Sequence, residues 1–248
     1  ADQFTIEQLT DAYNQTRVDY LVPMPMSVTR LREYIEAYDV DLSASVVAMH
    51  GGEILGLAML GLREGRSWIT RLGVLPTSRR HGSGQAMMGY LIEESRNRGV
   101  GAAYLEVIEG NAPAHALFLK LGFVETRGLL ILRRPPGPPP GLASPDAEYK
   151  WLPAQDILAL AEQRPTLPAW TNQTESLRNV GRVQGLELTD RESGMAGWLT
   201  YQRTALQLKR VILEPTAGTL APGYHLLHQL HARFSTLDTV VENIPAND

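Results

Sequence analysis

The sequence contains no cysteine among its 248 residues. Disulfides, thiolate-ligated metal sites and a cysteine nucleophile are therefore excluded. It also has no run of 18 or more apolar residues, the length that a membrane-spanning helix needs. Positive charge is not in excess, because 27 acidic residues outnumber 23 basic ones and the formal net charge is −4. We therefore expect no membrane partner and no nonspecific binding to nucleic acid.

The remaining composition is that of an ordinary globular protein, with 44% hydrophobic and 20% charged residues. This length suits one large domain or two modest ones, and either can bury a core. The first stretch, ADQFTIEQLT, is polar and acidic and gives no sign of a signal peptide. We therefore expect a cytoplasmic protein. No pattern in the chain predicts an oligomeric state.

A proline-rich stretch, RRPPGPPPG, lies near the middle of the chain and ends at Gly141. Its five prolines in six positions leave no run of amide donors for a helix or a strand ladder. We interpret residues 135–145 as a linker between a domain at 1–134 and a second at 146–248. The alternative is a long surface loop within one domain, an arrangement that is uncommon in compact domains.

Helix and strand patterns alternate before the linker. Thr5 and Gln8 have the spacing of a capping box, and Ser27 is a candidate N-cap for a second helix. The β-rich runs ASVVAMH and EILGLAMLGL flank Gly51-Gly52, which is a hairpin signal. They are followed by the strand SWITRLGVL, the helix SGQAMMGYLIEESRNRG, the strand AAYLEVIE, the helix APAHALFLKLG and the strands GFVET and GLLILRR. This order predicts an α/β (α+β) fold with a central sheet.

A basic, glycine-spaced turn joins the third strand to the following helix. The N-terminus of that helix offers free backbone N–H groups at the positive end of its dipole. Gly82 and Gly84 permit close approach of a ligand, while Arg79 and Arg80 add cationic donors. The pattern favours a bound phosphate or pyrophosphate, with an ordinary exposed turn as the alternative. A dinucleotide loop would need glycine at Met87, and a P-loop would need Gly-Lys-Ser/Thr.

Two segments carry a resemblance to a known family. VLPTSRRHGSG resembles the acyl-CoA loop of the GNAT superfamily of N-acyltransferases, whose pattern is V-x-P-x-x-R/Q-x-x-G-x-G/A. LEVIEGNAPAHALFLKLGF resembles the second signature of that family. The resemblance covers about residues 4–133. The matching positions are Val74, Pro76, Arg79, Gly82 and Gly84 in the first segment, and Leu105, Glu106, Val107, Asn111, Ala114, Leu117, Lys120, Gly122 and Phe123 in the second.

The resemblance implies a GNAT-type mixed central sheet flanked by helices, with acetyl-CoA as acyl donor and an amine as acceptor. The pyrophosphate would lie against the backbone amides of residues 80–85. The pantetheine arm would pair with residues 72–74, where the third strand separates from the strand that ends at Glu106, and a backbone N–H near Val74 would bind the thioester carbonyl. The implied cofactor-binding residues are Leu72, Gly73, Val74, Arg79, Arg80, His81, Gly82, Ser83, Gly84, Gln85, Asn111, Phe118 and Lys120.

Two positions bear on catalysis. By the resemblance, Glu106 is a candidate general base for the incoming amine; the alternative is a strand glutamate at the sheet edge that faces solvent or an arginine. Glu109 is a weaker candidate. Phe118 stands where the family usually has the tyrosine that protonates the departing thiolate. We therefore expect an N-acetyltransferase that works by direct attack, with a catalytically weak acyl-CoA-binding or sensing module as the alternative.

The acceptor is not identified by the sequence. In this family the first two helices and their loop build its pocket, which here corresponds to TRVDYLVPMPMSVTRLREYIEAYDVD. The acidic side chains of Glu33, Glu36, Asp39 and Asp41 would attract a cationic amine. The alternative is a solvated acidic helix face.

The second half repeats the first in outline. SGMAGWLTYQR and TALQLKRVILEP echo the second and third strands, and TVVENIPAND places Glu242 against Glu106 and Asn247 against Asn111. PTAGTLAPG, in the place of PTSRRHGSG, has no arginine and carries Pro222 near the helix start. The sequence ends at Asp248, before the family's last helix and strands. We therefore predict a tandem arrangement with one CoA site and a second GNAT-like domain that is degenerate, smaller or incomplete.

Three histidines occur at three-residue steps in the second half, at His225, His228 and His231. Such spacing is compatible with a metal site, but no acidic or cysteine partner is close in sequence. We interpret them as a polar helix face and expect no metal.

Overall fold

The computed structural model describes residues 1–141, 147–190, 193–215 and 220–246. The chain folds into two compact units, Ala1–Thr126 and Arg127–Asp248. No helix in the described ranges combines the length and the apolar character needed to cross a membrane.

The first unit begins with two capped helices. The Thr5 side chain accepts a hydrogen bond from the Gln8 N–H, and the Gln8 side chain accepts one from the Thr5 N–H, which completes the predicted capping box. Ser27 caps the second helix in the same manner. The elements of this unit are α1 (Ile6–Gln15), α2 (Val28–Ala37), β1 (Val46–His50), β2 (Glu53–Arg63), β3 (Arg66–Val74), α3 (Ser83–Asn97), β4 (Ala102–Tyr104) and α4 (Ala112–Lys120).

The four strands of the first unit form a sheet in the order β1-β2-β3-β4. Strand β2 is buried on both faces because its side chains alternate between two cores. Leu57 and Met59 pack with residues of α1 and α2, whereas Ala58 and Leu60 pack with residues of α3. The sheet is therefore covered by helices on both faces, as the resemblance implied.

Strand β3 extends beyond the end of its parallel partner, β4. The pairing of β3 with β4 runs from Arg66 opposite Ala102 to Trp68 opposite Tyr104, whereas β3 continues to Val74. The predicted strand AAYLEVIE is thus a strand only over Ala102–Tyr104. The last residues of β3 are left without a strand neighbour on the β4 side.

A β-bulge interrupts the other edge of β3. Leu57 lies opposite Gly73 and Met59 opposite Thr70, so β3 contains one extra residue in this interval. Arg71 lies within it, at a φ of 55°. Bulges of this kind increase the local twist of a strand and re-aim its side chains. The bulge therefore turns the end of β3 just before the predicted phosphate turn.

The second unit contains a six-stranded sheet in the order β5-β10-β9-β8-β7-β6. Helices again cover both faces: Trp198 of the fourth strand in this unit packs with the first two helices, whereas Leu199 packs with the last helix. The elements are β5 (Leu129–Arg134), β6 (Glu148–Leu152), α5 (Ala154–Glu162), α6 (Thr174–Val180), β7 (Val183–Thr189), β8 (Ala196–Arg203), β9 (Gln207–Pro215), α7 (Ala221–Arg233) and β10 (Asp238–Pro245).

Strand β5 differs from the sequence-based assignment, which placed it in the first domain. It pairs antiparallel with β10, so it belongs to the second sheet. The Arg133 Nε donates to the Asp238 carboxylate of β10, at 3.0 and 3.2 Å. The compact units accordingly divide after Thr126 rather than after Arg134. Residues 121–128, which include the predicted strand GFVET, form no strand.

The predicted linker lies only in part within the described residues. Residues 135–141 contain neither helix nor strand, and the Gly137 N–H donates to the Ser235 carbonyl at 2.7 Å. Residues 142–145 lie outside the described ranges. The proline-rich stretch therefore follows β5 instead of separating two sheets.

The bulge of the first sheet recurs in the second. Thr200 lies opposite Ile212 and Gln202 opposite Lys209, so β9 also contains an extra residue. Arg210 lies within it, at a φ of 52°, five residues before Pro215. Arg71 stands at the same distance before Pro76. A non-glycine residue with positive φ is uncommon, so its recurrence at this place supports the internal repeat that the sequence predicted.

Candidate active site

The predicted phosphate turn leads into an uncapped helix. After β3 the chain makes a 3₁₀ turn at Pro76–Ser78, and Gly82 becomes the N-cap of α3 with a φ of 85°. Among the described residues no side chain caps this helix. The first-turn N–H groups, at Ser83, Gly84 and Gln85, consequently have no intrahelical acceptor. These donors and the helix dipole together favour an anion at this end of α3.

The two glycines of the turn have different physical roles. A Cβ placed on Gly82 would meet nothing within 4 Å, so this glycine is required by its positive φ and leaves the space before the helix open. A Cβ on Gly84 would lie 3.6 Å from Val74 Cγ2 and 3.7 Å from Leu117 Cδ2. Gly84 therefore sits where α3 packs closely against the end of β3.

Arg79 does not extend into the space before α3. Its Nη1 and Nη2 donate to the Asp19 carboxylate at 2.6 and 2.7 Å, and its Nε donates to the Val74 carbonyl at 3.2 Å. This pairing lowers the pKa of Asp19. Arg79 thus ties the segment after α1 to the end of β3, whereas Arg80 and His81 are exposed on the turn.

The end of β3 presents one backbone donor away from β2. The Leu75 N–H donates to the Leu55 carbonyl at 2.8 Å, on the β2 side. Because successive N–H groups of a strand point to opposite edges, the Val74 N–H points toward the edge that β4 has left. This is the direction in which the resemblance requires a donor.

Leu72 and Gly73 contact the C-terminal end of α1. The Leu72 carbonyl accepts a hydrogen bond from Arg17 Nη2 at 2.9 Å. A Cβ on Gly73 would lie 2.3 Å from Thr16 Oγ1, so only glycine fits there without a shift. These two residues hold α1 against β3 and set the position of the neighbouring Val74.

Glu106 lies two residues beyond the last β4 residue and is bound by a buried tryptophan. The Trp68 Nε1–H donates to Glu106 Oε2 at 2.5 Å. The Trp68 ring also packs against Tyr34 of α2 and Tyr38 at the C-cap of that helix, with centroid distances of 5.9 and 5.7 Å. The carboxylate therefore stands beside an aromatic cluster (Tyr34, Tyr38 and Trp68), with the residue as a whole exposed.

Arg71 connects this cluster to α1. Its guanidinium carbon lies 4.1 Å from the centroid of the Tyr34 ring, and its Nη1 donates to the Tyr13 hydroxyl at 3.0 Å. The Tyr34 hydroxyl is 2.6 Å from Thr70 Oγ1, and burial raises the pKa of Tyr34. No sequence pattern predicts Arg71 or Trp68 as site residues; the nearest signal is the aromatic spacing in EYIEAY.

Two of the predicted acidic acceptor groups are already paired. Arg63 binds Asp39 at 2.7 Å, and Arg98 binds Asp41 at 2.8 Å. These carboxylates therefore pair with arginines of the same unit. Glu33 and Glu36 are exposed on α2.

The residues predicted on α4 take structural positions. Asn111 caps the helix through Oδ1, which accepts from the Ala114 N–H at 3.4 Å. Phe118 is 7% exposed and packs edge-on against Phe123 at a centroid distance of 6.2 Å. Lys120 Nζ donates to Gln85 Oε1 at 2.9 Å and so joins α4 to the first turn of α3.

The second unit does not reproduce the turn geometry in its described part. Pro222 lies in the first turn of α7 and has no N–H to offer. A Cβ on Gly223 would lie 2.6 Å from Leu213 Cδ2, so the helix start is crowded by the end of β9. The backbone carbonyl of Glu242 accepts from Asn172 at 2.9 Å. Asn247 and residues 216–219 of the turn lie outside the described ranges.

Residues 7–123 match the model of the Acetyltransferase (GNAT) family. Over this segment, which is just under half of the chain, the chain is similar to the GNAT family. The match contains the turn after β3, Glu106 and α4, which are the features on which the resemblance was based.

Comparison with known proteins extends the likeness to both units. The chain has a TM-score of 0.71 with a GCN5-related N-acetyltransferase from Sphaerobacter thermophilus, at 16% identity over 96% of this chain and 83% of that one. The score is 0.60 with a tandem GNAT protein from the clavulanic acid biosynthesis pathway, at 16% identity over 98% and 87%. Likeness at this identity concerns the fold, and it supports a tandem GNAT arrangement.

A curated relative matches over a shorter stretch. The [Ribosomal protein bS18]-alanine N-acetyltransferase of Escherichia coli (strain K12) is 35% identical over 74 residues, which is 30% of this chain. The matched stretch spans 50% of that enzyme. The chain thus covers about half the length of the curated relatives that it matches.

Proposed function

We propose that the first unit transfers an acetyl group from acetyl-CoA to a primary amine by direct attack. The observation that carries this proposal is the uncapped N-terminus of α3, which opens beside the free edge of β3 at Val74. The helix N-terminus suits a pyrophosphate, and the free strand edge suits the extended, amide-bearing pantetheine arm. The glycines and the separated strands provide room for both.

Bound acetyl-CoA would supply the activated thioester. In this proposal the N–H groups of residues 80–85 hold the pyrophosphate, and the Val74 N–H donates to the thioester oxygen as negative charge develops there. Glu106 accepts a proton from the incoming ammonium, directly or through water, because an amine attacks only in its neutral form. Trp68 positions the carboxylate through its indole N–H.

Thiolate departure in this unit would proceed without a tyrosine at position 118. Phe118 has no proton to donate, and its ring packs in the core with Met87 and Leu91. A single missing general acid costs on the order of 10²- to 10⁴-fold in rate. The thiol of CoA is a tolerable leaving group, so we propose slow but measurable turnover in which solvent protonates the thiolate.

We propose that the acceptor reaches the site as a positively charged ammonium group. The aromatic cluster beside Glu106 is suited to an ammonium group, since ring faces and a carboxylate both attract positive charge. The curated relative's name refers to an alanine of a ribosomal protein. We therefore include amino-terminal amines of peptides among the acceptors to be tested, with polyamines, amino acids and aminoglycosides.

The second candidate function is a catalytically weak acyl-CoA-binding or sensing module, which Phe118 favours. Calorimetry with acetyl-CoA and a thiol-release assay over the acceptor panel separate the two. We expect binding together with turnover of at least one amine above the uncatalysed rate. Tight binding without turnover on the whole panel would support the sensing module, and an absence of binding would contradict both.

A further inference from the structure

The second unit contains a cleft of about 380 Å³ that the proposed acetyl transfer does not use. The cleft lies at one end of the sheet, where β6 and β8 finish and where β7 and β9 begin. The turn that corresponds to the phosphate turn follows Pro215, at the other end of β9. The cleft is therefore a separate feature of this unit rather than a remnant of a second CoA site.

Three aromatic rings form the wall of the cleft. The centroid of Trp151 lies 6.0 Å from that of Tyr201 and 6.1 Å from that of Phe234, both in edge-to-face geometry. Tyr201 and Phe234 are 5.6 Å apart. Tyr201 is buried at the base of this group, and all three rings line the cleft. Aromatic side chains at a cleft favour contact with another planar group.

Two arginines supply the charge of the cleft. The guanidinium carbon of Arg233 lies 4.3 Å from the Trp151 ring centroid, and that of Arg203 lies 5.5 Å from the Phe234 ring centroid. In the part of the chain that the structure describes, no carboxylate forms an ion pair with either arginine. The other lining residues are Leu152, Pro153 and Gln184, so the described lining contains no acid.

Two of the positions that line this cleft have apolar core residues in the first unit. The shared bulge aligns Leu57 with Thr200 and Met59 with Gln202. Ala58 of β2 therefore corresponds to Tyr201, and Leu60 to Arg203. Both first-unit residues are fully buried in the core. Tyr201 and Arg203 thus stand at positions where the first unit has small or apolar core residues, so the repeat of the scaffold does not by itself require them.

We propose that this cleft binds a small aromatic carboxylate. The ring would pack against Trp151 and Phe234, and the carboxylate would receive hydrogen bonds from the guanidinium groups of Arg203 and Arg233. A guanidinium matches a carboxylate in a planar, two-point manner, and stacking over a ring pre-orients it. Pockets for small ligands start at roughly 300 Å³, which suits a ligand with one or two rings. The proposal is independent of the acetyl transfer assigned to the first unit.

Calorimetry on the full chain tests the proposal, with benzoate and 2-naphthoate as probes. Cyclohexanecarboxylate, inorganic phosphate and AMP are the comparison ligands. We expect an aromatic carboxylate to bind at least tenfold more tightly than cyclohexanecarboxylate or phosphate. Equal binding of phosphate or of the saturated acid would overturn the role of the rings, and preferential binding of AMP would replace the proposal with a nucleotide site.

Variants of the two arginines locate the binding. Arg203→Gln and Arg233→Gln should each weaken binding of 2-naphthoate three- to tenfold, and Arg203→Lys should recover only part of the loss. Arg178→Gln is the matched control, because this arginine is exposed in the same unit and pairs with Glu162. Unchanged affinity in the Arg203/Arg233 double variant, with an unaltered melting temperature, would overturn the assignment. Because acetyl-CoA binding reports on the first unit, it should be unaffected in every variant.

Discussion

The indole N–H of Trp68 donates a hydrogen bond to Glu106 Oε2 at 2.5 Å. Trp68 is the last residue of β3 that pairs with β4, whereas Glu106 lies just past the end of β4. The bond therefore spans the place where the two strands separate. A buried ring, 3% exposed, in this way holds a carboxylate at the mouth of the proposed thioester site.

Replacement of Glu106 tests its role as general base. Glu106→Gln keeps the size of the side chain and its acceptor oxygen for Trp68 but cannot take a proton. We expect kcat/KM to fall by roughly 10²- to 10³-fold and the acid limb of the pH–rate profile to disappear. Acetyl-CoA affinity, measured by calorimetry, should stay the same.

Glu64→Gln is the matched control for this change, since Glu64 is an exposed carboxylate in the turn between β2 and β3 and was given no part in catalysis. It should leave both the rate and the profile intact. If Glu106→Gln retains the wild-type profile, another group or a water chain accepts the proton.

Replacement of Gly82 tests the phosphate turn. Gly82→Glu places a carboxylate in the open space before α3, where the proposed pyrophosphate binds, and we expect acetyl-CoA binding to fall below detection. The positive φ of 85° also strains any side chain at this position, at a cost of about 1 kcal/mol. Calorimetry measures the binding and urea unfolding measures the strain.

Gly99→Glu separates these two effects. Gly99 has a φ of 69°, and a Cβ there would meet nothing within 4 Å, so the backbone strain is similar. It lies at the far end of α3 and should keep full acetyl-CoA affinity. Equal loss of binding in the two variants would show that strain, rather than the carboxylate, is responsible.

The pairing of Arg79 with Asp19 predicts that Arg79 supports acetyl-CoA binding indirectly, by holding the structure of the site. If Arg79 works by tying the segment after α1 to β3, then Arg79→Gln and Asp19→Asn should each weaken acetyl-CoA binding by a similar factor, roughly three- to tenfold. The double variant should be no weaker than Arg79→Gln alone, because Asp19 acts through its pairing with Arg79, whereas Arg79 also donates to the Val74 carbonyl. Binding constants at two salt concentrations provide the measurement.

A direct phosphate contact by Arg79 would give a different result. Arg79→Gln alone would then weaken binding and reduce its salt dependence, whereas Asp19→Asn would leave binding unchanged or strengthen it by releasing the guanidinium. That outcome would contradict the structural role.

His231 predicts the pH dependence of stability in the second unit. Burial on α7, with a smaller contribution from Arg134, lowers its pKa to about 4. Between about pH 4 and pH 6.5 the unfolded state therefore binds more protons than the folded state, so stability is lost as the pH falls through this window. The loss reaches up to about 3 kcal/mol at its lower end, at 1.36 kcal/mol per pKa unit. Urea unfolding at pH 7.5 and pH 5 measures it.

His231→Gln should flatten this dependence, although loss of the contact with Thr239 lowers stability at both pH values. His225 is partly exposed on the same helix, so His225→Gln should keep the wild-type slope of stability against pH. An unchanged slope in His231→Gln would assign the dependence to other groups.

Local patterns predicted much of the first unit. The capping box at Thr5, the hairpin at Gly51-Gly52 and the glycine-led start of α3 all depend on residues within a few positions of one another. Backbone preferences at that range follow from side-chain chemistry alone. The repeat was visible as well, because the segment before Pro215 copies the arrangement before Pro76.

Interactions between distant segments were decided by the tertiary structure. The run GLLILRR has the composition of a strand wherever it pairs, and only the position of β10 placed it in the second sheet. Arg79 matched a phosphate-binding pattern, yet its partner is a carboxylate 60 residues away. The bulge at Arg71 and the bond between Trp68 and Glu106 likewise depend on register and strand separation.

The amino-acid sequence by itself therefore determined most helices and strands of the first unit, the repeat and the helix N-terminus that suits a phosphate, since each is encoded over a few neighbouring residues. The tertiary structure alone decided which sheet receives β5, which partner Arg79 binds and which side chain orients Glu106. A pairing between remote segments is selected by packing and burial across the whole unit, and the same short sequence is compatible with several partners until that packing is complete.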